Sequence, residues 1–375
     1  MGLRWRLITS SRAYLGEPLV RRLARRTPSL EAAPAAPRSI LVLRNNDLGD
    51  LLVATPLFEA LKRRFPAMHL AAAVGPWSAP ILAGNPFLDE VVPLAAPWFN
   101  KFVQPQSLAA RLSYVFRSQA IEALAGRRFE VGIDVLGSVW GALLLLRAGI
   151  PWRLGMSGYA GGEAAFQAAV PFDPNQHVGR GALRFAELLG ASELPPARPQ
   201  LFLSTLEQAA GEGAWTSLFP ARPGRRVVVA PGGGLVEKRW PVESFRQLAG
   251  QLAQRAELSV AVIGGPAERT LGEALAAAHG AIRDTSGHLS LRETFALIAA
   301  SDLVVTGSSM PMHAAAAFGK RLVVLLGESF PSASQHDRQW GYPELGVSLG
   351  KEPGAPSAVA SVAEALAAVG EALGR

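Results

Sequence analysis

The chain has 375 residues, 49% of them hydrophobic, and no cysteine. That length favours two domains over one, while the missing thiols exclude a disulfide framework and a thiolate zinc site and make a reducing, cytoplasmic compartment the default expectation. Of the formal net charge of +7, six units lie in residues 1–40, where eight arginines oppose only Glu17 and Glu31.

That basic arm comes first in chain order. Arg4, Arg6, Arg12, Arg21, Arg22, Arg25, Arg26 and Arg38 interleave with Leu3, Trp5, Leu7, Ile8, Tyr14, Leu15, Leu19, Val20 and Leu23, and no signal-peptide apolar core follows the first charges. Two readings fit. One is peripheral contact with the anionic inner face of the cytoplasmic membrane, where each Lys or Arg near lipid adds about 1 kcal/mol. The other is a solvated extension, or a helix packed on the domain. Nucleic acid is not expected as a partner, because no nucleic-acid module accompanies the charge. "PSLEAAPAAPR" (28–38) reads as a Pro/Ala linker, so residues 1–38 are set apart as arm and linker.

Apolar strands and amphipathic helices then alternate: "SILVLR", a helix after Gly49, "LAAAVG" (70–75), "EVVPL" (90–94), a long amphipathic stretch from Pro105 to Ala125, "EVGIDV" (130–135) and another helix. The run Val139 to Leu146 is far shorter than the ~20 residues of a membrane span. After "ELPPARPQLFLS" (193–204) the rhythm restarts with "RRVVVAPGGG" (225–234), a helix from Val242 to Arg255, "LSVAVIGG" (258–265), a helix around Arg269 to His279, "DLVVTG" (302–307), a helix from Met312 to Gly319 and "RLVVLLG" (321–327). This is the pattern of βαβ units on parallel sheets. It predicts an α/β fold of two doubly wound domains, 39–204 and 205–345, followed by a tail, 346–375. The tail's Val359, Val362, Leu366, Val369 and Leu373 line one helical face suited to packing on a domain.

Several glycines fall at strand ends, where open parallel sheets bind ligands. Neither a complete GxGxxG nor a Walker sequence is present, which counts against a dinucleotide dehydrogenase or a P-loop NTPase. "RNNDLGD" places two carboxylates, Asp47 and Asp50, where a strand meets a helix. Asp at a helix start is by default a cap or a turn residue; a proton acceptor is the other reading.

Taken together, "RNNDLGDLLVATPLFEALKRRFP", "APGGGLVEKRWPVESFRQLAGQL", "VIGGPAE", "TSGHLSLRETFALIAASDLVVT" and "MPMHAAAAFGKRLVVLLGE" resemble the successive motifs of glycosyltransferase family 9, the bacterial heptosyltransferases of lipopolysaccharide assembly, over about residues 39–345. The resemblance implies the GT-B fold, two Rossmann-like domains facing a central cleft, with the acceptor side mainly in the first and the nucleotide-sugar side mainly in the second. It implies an inverting transfer from a nucleotide-diphosphate sugar, ADP-heptose among the candidates, to a lipid-linked or other envelope glycan, with no cofactor. Gly49-Asp50 matches the family's Gly-Asp, so Asp50 becomes the expected base. Asp47 is left as an Asx turn residue or a partner that orients Arg44 or Asn46.

On the donor side the resemblance assigns Lys238 of "EKRWP" to the diphosphate, with Gly232 and Gly233 presenting N–H groups to the same phosphates and His313 close by. Glu268, three residues after Gly265, is placed to accept from a ribose hydroxyl or to start a helix. No Asp-x-Asp occurs, so metal-independent chemistry is expected, with Lys238 and helix N-termini neutralising the diphosphate. The chain departs from the family at "SSMPMH": Ser308 stands where an Asp contacts the donor sugar, and Met310 replaces a glycine. The expectations are a changed donor, a neighbouring carboxylate such as Glu328 taking over the contact, or a non-catalytic, degenerate sugar-nucleotide-binding relative. An epimerase on the same fold would call for a different acid/base set.

Overall fold

Two six-stranded parallel sheets organise the computed structural model, which describes residues 16–221, 224–354 and 359–374. The chain divides into two units between Ala197 and Arg198.

In the first unit a helix over 16–24 (α1) precedes β1 (Ser39–Leu43), α2 (Leu48–Ala54), α3 (Pro56–Arg64), β2 (His69–Val74), β3 (Glu90–Pro93), α4 (Leu108–Arg117), α5 (Gln119–Gly126), β4 (Val131–Asp134), α6 (Val139–Arg147), β5 (Trp152–Ser157), β6 (Ala168–Pro171) and α7 (Val178–Leu188). The strand order is β3-β2-β1-β4-β5-β6, with Ile40 in register with Leu70 on one side and Val131 on the other. β1 and β4 are apolar runs rather than alternations because helices cover both sheet faces, and their residues are buried accordingly. The helix expected after Gly49 is two: Pro56 offers no N–H to continue α2 and instead opens α3 at its first turn. The stretch from Pro105 to Ala125 likewise breaks at Ser118, whose hydroxyl accepts the Ala120 N–H at 3.2 Å and caps α5.

The second unit runs α8 (Thr205–Leu218), β7 (Arg225–Ala230), α9 (Val242–Ala253), β8 (Leu258–Val262), α10 (Arg269–Ala276), β9 (Arg283–Asp284), α11 (Leu291–Ala299), β10 (Leu303–Thr306), α12 (Met310–Ala317), β11 (Arg321–Leu325), α13 (Ala333–Gln339), β12 (Gly346–Leu349) and α14 (Val362–Gly374). Its sheet has the order β12-β11-β10-β7-β8-β9. α8 is started by a Ser204/Glu207 capping box, and Arg292 of α11 grips both Glu207 oxygens at 2.6 Å while donating to the Phe202 carbonyl at 2.8 Å. In each sheet the crossovers reverse direction at the central pair, β1/β4 and β7/β10, and a parallel α/β sheet binds ligands beyond the carboxyl ends of such a pair.

Three of the expected boundaries fall within the described residues. The arm and linker, 1–38, are not separate from the first unit in their described part. Val20 of α1 is fully buried, Leu19, Leu23 and Ala24 pack on the same core, and the Glu17 carboxylate accepts the Gly162 and Ala164 N–H groups at 2.8 and 2.9 Å. Buried Arg153 also donates to the Pro28 carbonyl at 3.1 Å, holding the Pro/Ala passage down. Arg4, Arg6 and Arg12, with their apolar neighbours, lie outside the described residues. The division between the units falls at Arg198, a few residues ahead of the expected 205. The tail 346–375 belongs to that unit, because β12 pairs with β11 as an edge strand, Leu322 opposite Gly346. α14 packs as its periodicity predicts: Val369 is fully buried, and Val359, Val362, Leu366 and Leu373 lie against the core of the second sheet.

Candidate functional site

The turn from β1 into α2 is built by two charges with different duties. Asp47 occupies the N-cap position of α2 without a side-chain cap bond; its Oδ1 accepts the Lys101 N–H at 3.2 Å. Burial, and then the neighbouring Asp50, push the Asp47 carboxyl above its ordinary range. Asp50 lies in the first turn of α2, and its side chain is 32% exposed. Arg44, only 4% exposed, donates from Nη2 to Asp50 Oδ1 at 3.1 Å and from Nε to the Asp50 carbonyl at 3.0 Å. The carboxylate is thus held in orientation by a buried cation from below, while its outer face remains reachable. Asp47 orients neither Arg44, which is held by Asp50, nor Asn46, whose amide donates to the Phe99 carbonyl at 3.2 Å.

Across the switch point, Asp134 ends β4 fully buried, and burial raises its carboxyl to about 6 despite bonds from the Ser138 N–H at 2.9 Å and the Leu136 N–H at 3.2 Å and the nearby Arg44 charge. It anchors the start of α6: a Cβ on Gly141 would lie 2.0 Å from Asp134 Oδ2, so only glycine lets that helix approach. The glycine turn after β5 carries Tyr159, whose phenol is raised by burial and then by the charge of Asp50, which places it within electrostatic reach of the Asp50–Arg44 pair. Sequence reasoning missed Tyr159, and its one signal was the glycines of "GYAGGE".

In the second unit the loop after β7 holds Gly232 and Gly233. The Gly233 N–H, expected to face phosphate, donates to Glu268 Oε1 at 3.0 Å, while Glu268 Oε2 accepts the Gly265 N–H at 2.8 Å. A Cβ on Gly232 would meet Glu268 Oε1 at 2.0 Å, so a side chain there would displace this carboxylate from its present position. Arg239, which the sequence reading passed over beside Lys238, clamps the Gly233 carbonyl from Nε at 3.1 Å and Nη2 at 2.6 Å. Lys238 is exposed, and its Nζ stands 5.7 Å from the centre of the Phe330 ring.

At the end of β10, Ser308 faces His336: Ser308 Oγ and His336 Nε2 are 2.8 Å apart. His336 is 3% exposed, its Nδ1 lies 3.0 Å from Ser348 Oγ, and Phe330 meets its ring edge-on at 5.3 Å. Phe330 therefore joins Lys238 to the Ser308 cluster. Ser309 is the N-cap of α12 and Met310 its first residue. His313, buried on α12, pairs Nδ1 with the Tyr342 hydroxyl at 2.6 Å; burial holds that phenol well above its ordinary range, so it stays protonated as a hydrogen-bond partner. The structure thus gathers Gly232, Gly233 and Glu268 at one strand edge, connects Lys238 to Ser308 by way of Phe330 and then His336, and sets His313 a turn into α12.

Two doubly wound units, one with an oriented carboxylate after its first strand and the other with a glycine-lined strand edge flanked by cations, have the architecture of the GT-B fold. The chain belongs to glycosyltransferase family 9 (heptosyltransferase), whose family model matches residues 117–354. It is 27% identical to lipopolysaccharide heptosyltransferase 2 of Escherichia coli, with 78% of this chain and 83% of that protein covered. The fold is shared with the crystal structure of a family 9 glycosyltransferase from Veillonella parvula, at a TM-score of 0.75 and 18% identity over 92% of this chain and 99% of that one. The structure of Escherichia coli ADP-heptose lps heptosyltransferase II superposes with a TM-score of 0.69 at 24% identity, covering 89% and 98%.

Proposed function

We propose that this glycosyltransferase is inverting and metal-independent, and that it moves a heptose or related sugar from a nucleotide-diphosphate sugar to a lipopolysaccharide or other cell-envelope glycan. The relatives' names support the sugar and the acceptor class. The observation that carries the chemistry is the Asp50 carboxylate, fixed from behind by Arg44 and reachable in front. In this reading Asp50 takes the proton of the acceptor hydroxyl as its oxygen attacks the anomeric carbon, the bond to the diphosphate breaks, and configuration inverts. Arg44 sets the orientation of Asp50. In the second unit Lys238 offsets the charge growing on the leaving phosphate, Glu268 accepts from the ribose after releasing Gly233, and His313 lies near the phosphates. Ser308 contacts the donor sugar.

Membrane contact belongs to the same proposal. Among the described residues no helix is long and apolar enough to cross a membrane. α1 turns Val20 inward, and Arg21 and Arg22 on it and Arg25 and Arg26 in the turn that follows are exposed, a basic surface suited to anionic lipid.

A panel of nucleotide sugars, ADP-heptose included, incubated with and without envelope glycan acceptors and with and without chelator, tests the reading. Acceptor-dependent release of the nucleoside diphosphate, unaffected by chelator, is expected. Binding without turnover on any acceptor would favour the sugar-nucleotide-binding alternative, which rests on Ser308 and Met310.

A further inference from the structure

The serine at 308 replaces an acceptor-only carboxylate with a group that both donates and accepts, but its surroundings remove that ambiguity. His336 Nε2 lies 2.8 Å from Ser308 Oγ, and on the far side of the ring Nδ1 has Ser348 Oγ at 3.0 Å and Asp337 Oδ1 at 3.6 Å. An imidazole places its proton on the nitrogen that faces the better acceptor. The Asp337 carboxylate beside Nδ1 favours the Nδ1–H tautomer and leaves Nε2 as an acceptor. The Ser308 proton is then donated inward to His336, and the oxygen's lone pairs are turned outward. Donation also polarises the hydroxyl, which strengthens it as an acceptor.

We infer that Ser308, His336 and Asp337 act as one unit that presents Ser308 Oγ as a hydrogen-bond acceptor for a hydroxyl of the donor sugar. His336 and Asp337 are positioning residues that act through Ser308. This inference rests on the donor site proposed above and adds the residues that set its sugar specificity. The burial of His336 at 3% exposure and the Phe330 edge against its ring fix the imidazole plane, so the serine is aimed rather than free to rotate. The bond pattern a carboxylate would offer is kept in a smaller, uncharged group, and the chain at this position is adapted rather than degenerate.

The test is calorimetric binding of ADP-heptose and of ADP to wild type, Ser308→Ala, His336→Asn, the double variant and Asp337→Asn. Asn at 336 keeps an amide near Ser348 and removes the acceptor at Nε2. Each single variant at 308 or 336 is expected to lose about tenfold in affinity for ADP-heptose while binding ADP as wild type does. The double variant should lose no more than either single one. Asp337→Asn, at a partly exposed position, should lose severalfold on the sugar nucleotide alone, and it carries the test if His336→Asn fails to fold. Losses that multiply in the double variant, or ADP affinity that falls in step, would assign His336 to the packing of α13 and overturn the inference. Wild type that binds neither nucleotide would overturn the functional proposal and this one with it; wild type that binds both, with unaffected variants, overturns this one alone.

Discussion

Replacing Asp50 with asparagine separates a catalytic carboxylate from a structural one. The side chain sits a turn inside α2, Asp47 holds the N-cap position, and no helix N–H depends on Asp50. Losing its charge costs the dipole contribution, about 0.3–1 kcal/mol, and weakens one charge-assisted bond from Arg44, while the amide oxygen still accepts and the Asp50 carbonyl still holds Arg44 Nε at 3.0 Å. The stability loss should therefore total about 1–2 kcal/mol, a fall in melting temperature of roughly 2–4 °C per kcal/mol for a unit of this size. Transfer should fall far more. An amide cannot take the proton, and positioned bases contribute about 10²- to 10⁴-fold. Single-turnover transfer assays at saturating donor, run beside thermal melts, read both quantities. Near-wild-type turnover with a small melting shift would refute the base assignment and leave Asp50 as the partner of Arg44. A large melting shift would show that the Arg44–Asp50 pair is chiefly a structural bond.

Other outcomes follow from the same geometry. Lys238→Ala should weaken nucleoside diphosphate binding by about 1.5–3 kcal/mol, because the exposed ammonium has no ion pair among the described residues to lose instead; unchanged affinity by calorimetry would remove it from the donor site. Deleting residues 1–38 should lower the melting temperature of the first unit, since it strips fully buried Val20 and the Glu17 bonds from the core; a truncation with an unchanged melt would contradict the packing of α1. Glu207 is held at about 2 by Arg292 first and by the Ser204 N–H next. A lowered carboxylate adds stability above its unfolded value near 4.5 that disappears as pH falls toward 2, so Glu207→Gln should flatten acid unfolding of the second unit in that window; identical acid titrations would show that the clamp contributes nothing.

The two βα rhythms, and with them the α/β class, were legible in the sequence because parallel strands buried on both faces read as continuous apolar runs. Helix breaks were less so: Pro56 and Ser118 act through a missing N–H and a local cap, signals that hydrophobic period does not carry. The Gly-Asp turn and the Lys238 loop could be found because their residues are neighbours in the chain. Arg44 could be named but not assigned, since which of two carboxylates it holds depends on the direction of its side chain below α2. Docking of α1 was one of the readings the sequence left open, because apolar residues among arginines suit a lipid surface or a protein core equally, and only the covering of Val20 decides. The same holds at Ser308. Read alone it is a lost carboxylate, and His336 lies 28 residues away on a different element. Sequence determined which groups were available and where strands and helices would form. Tertiary structure alone decided which groups meet, because hydrogen-bond polarity at Ser308 and charge pairing at Asp50 are set by partners that only the folded sheets bring within about 3 Å.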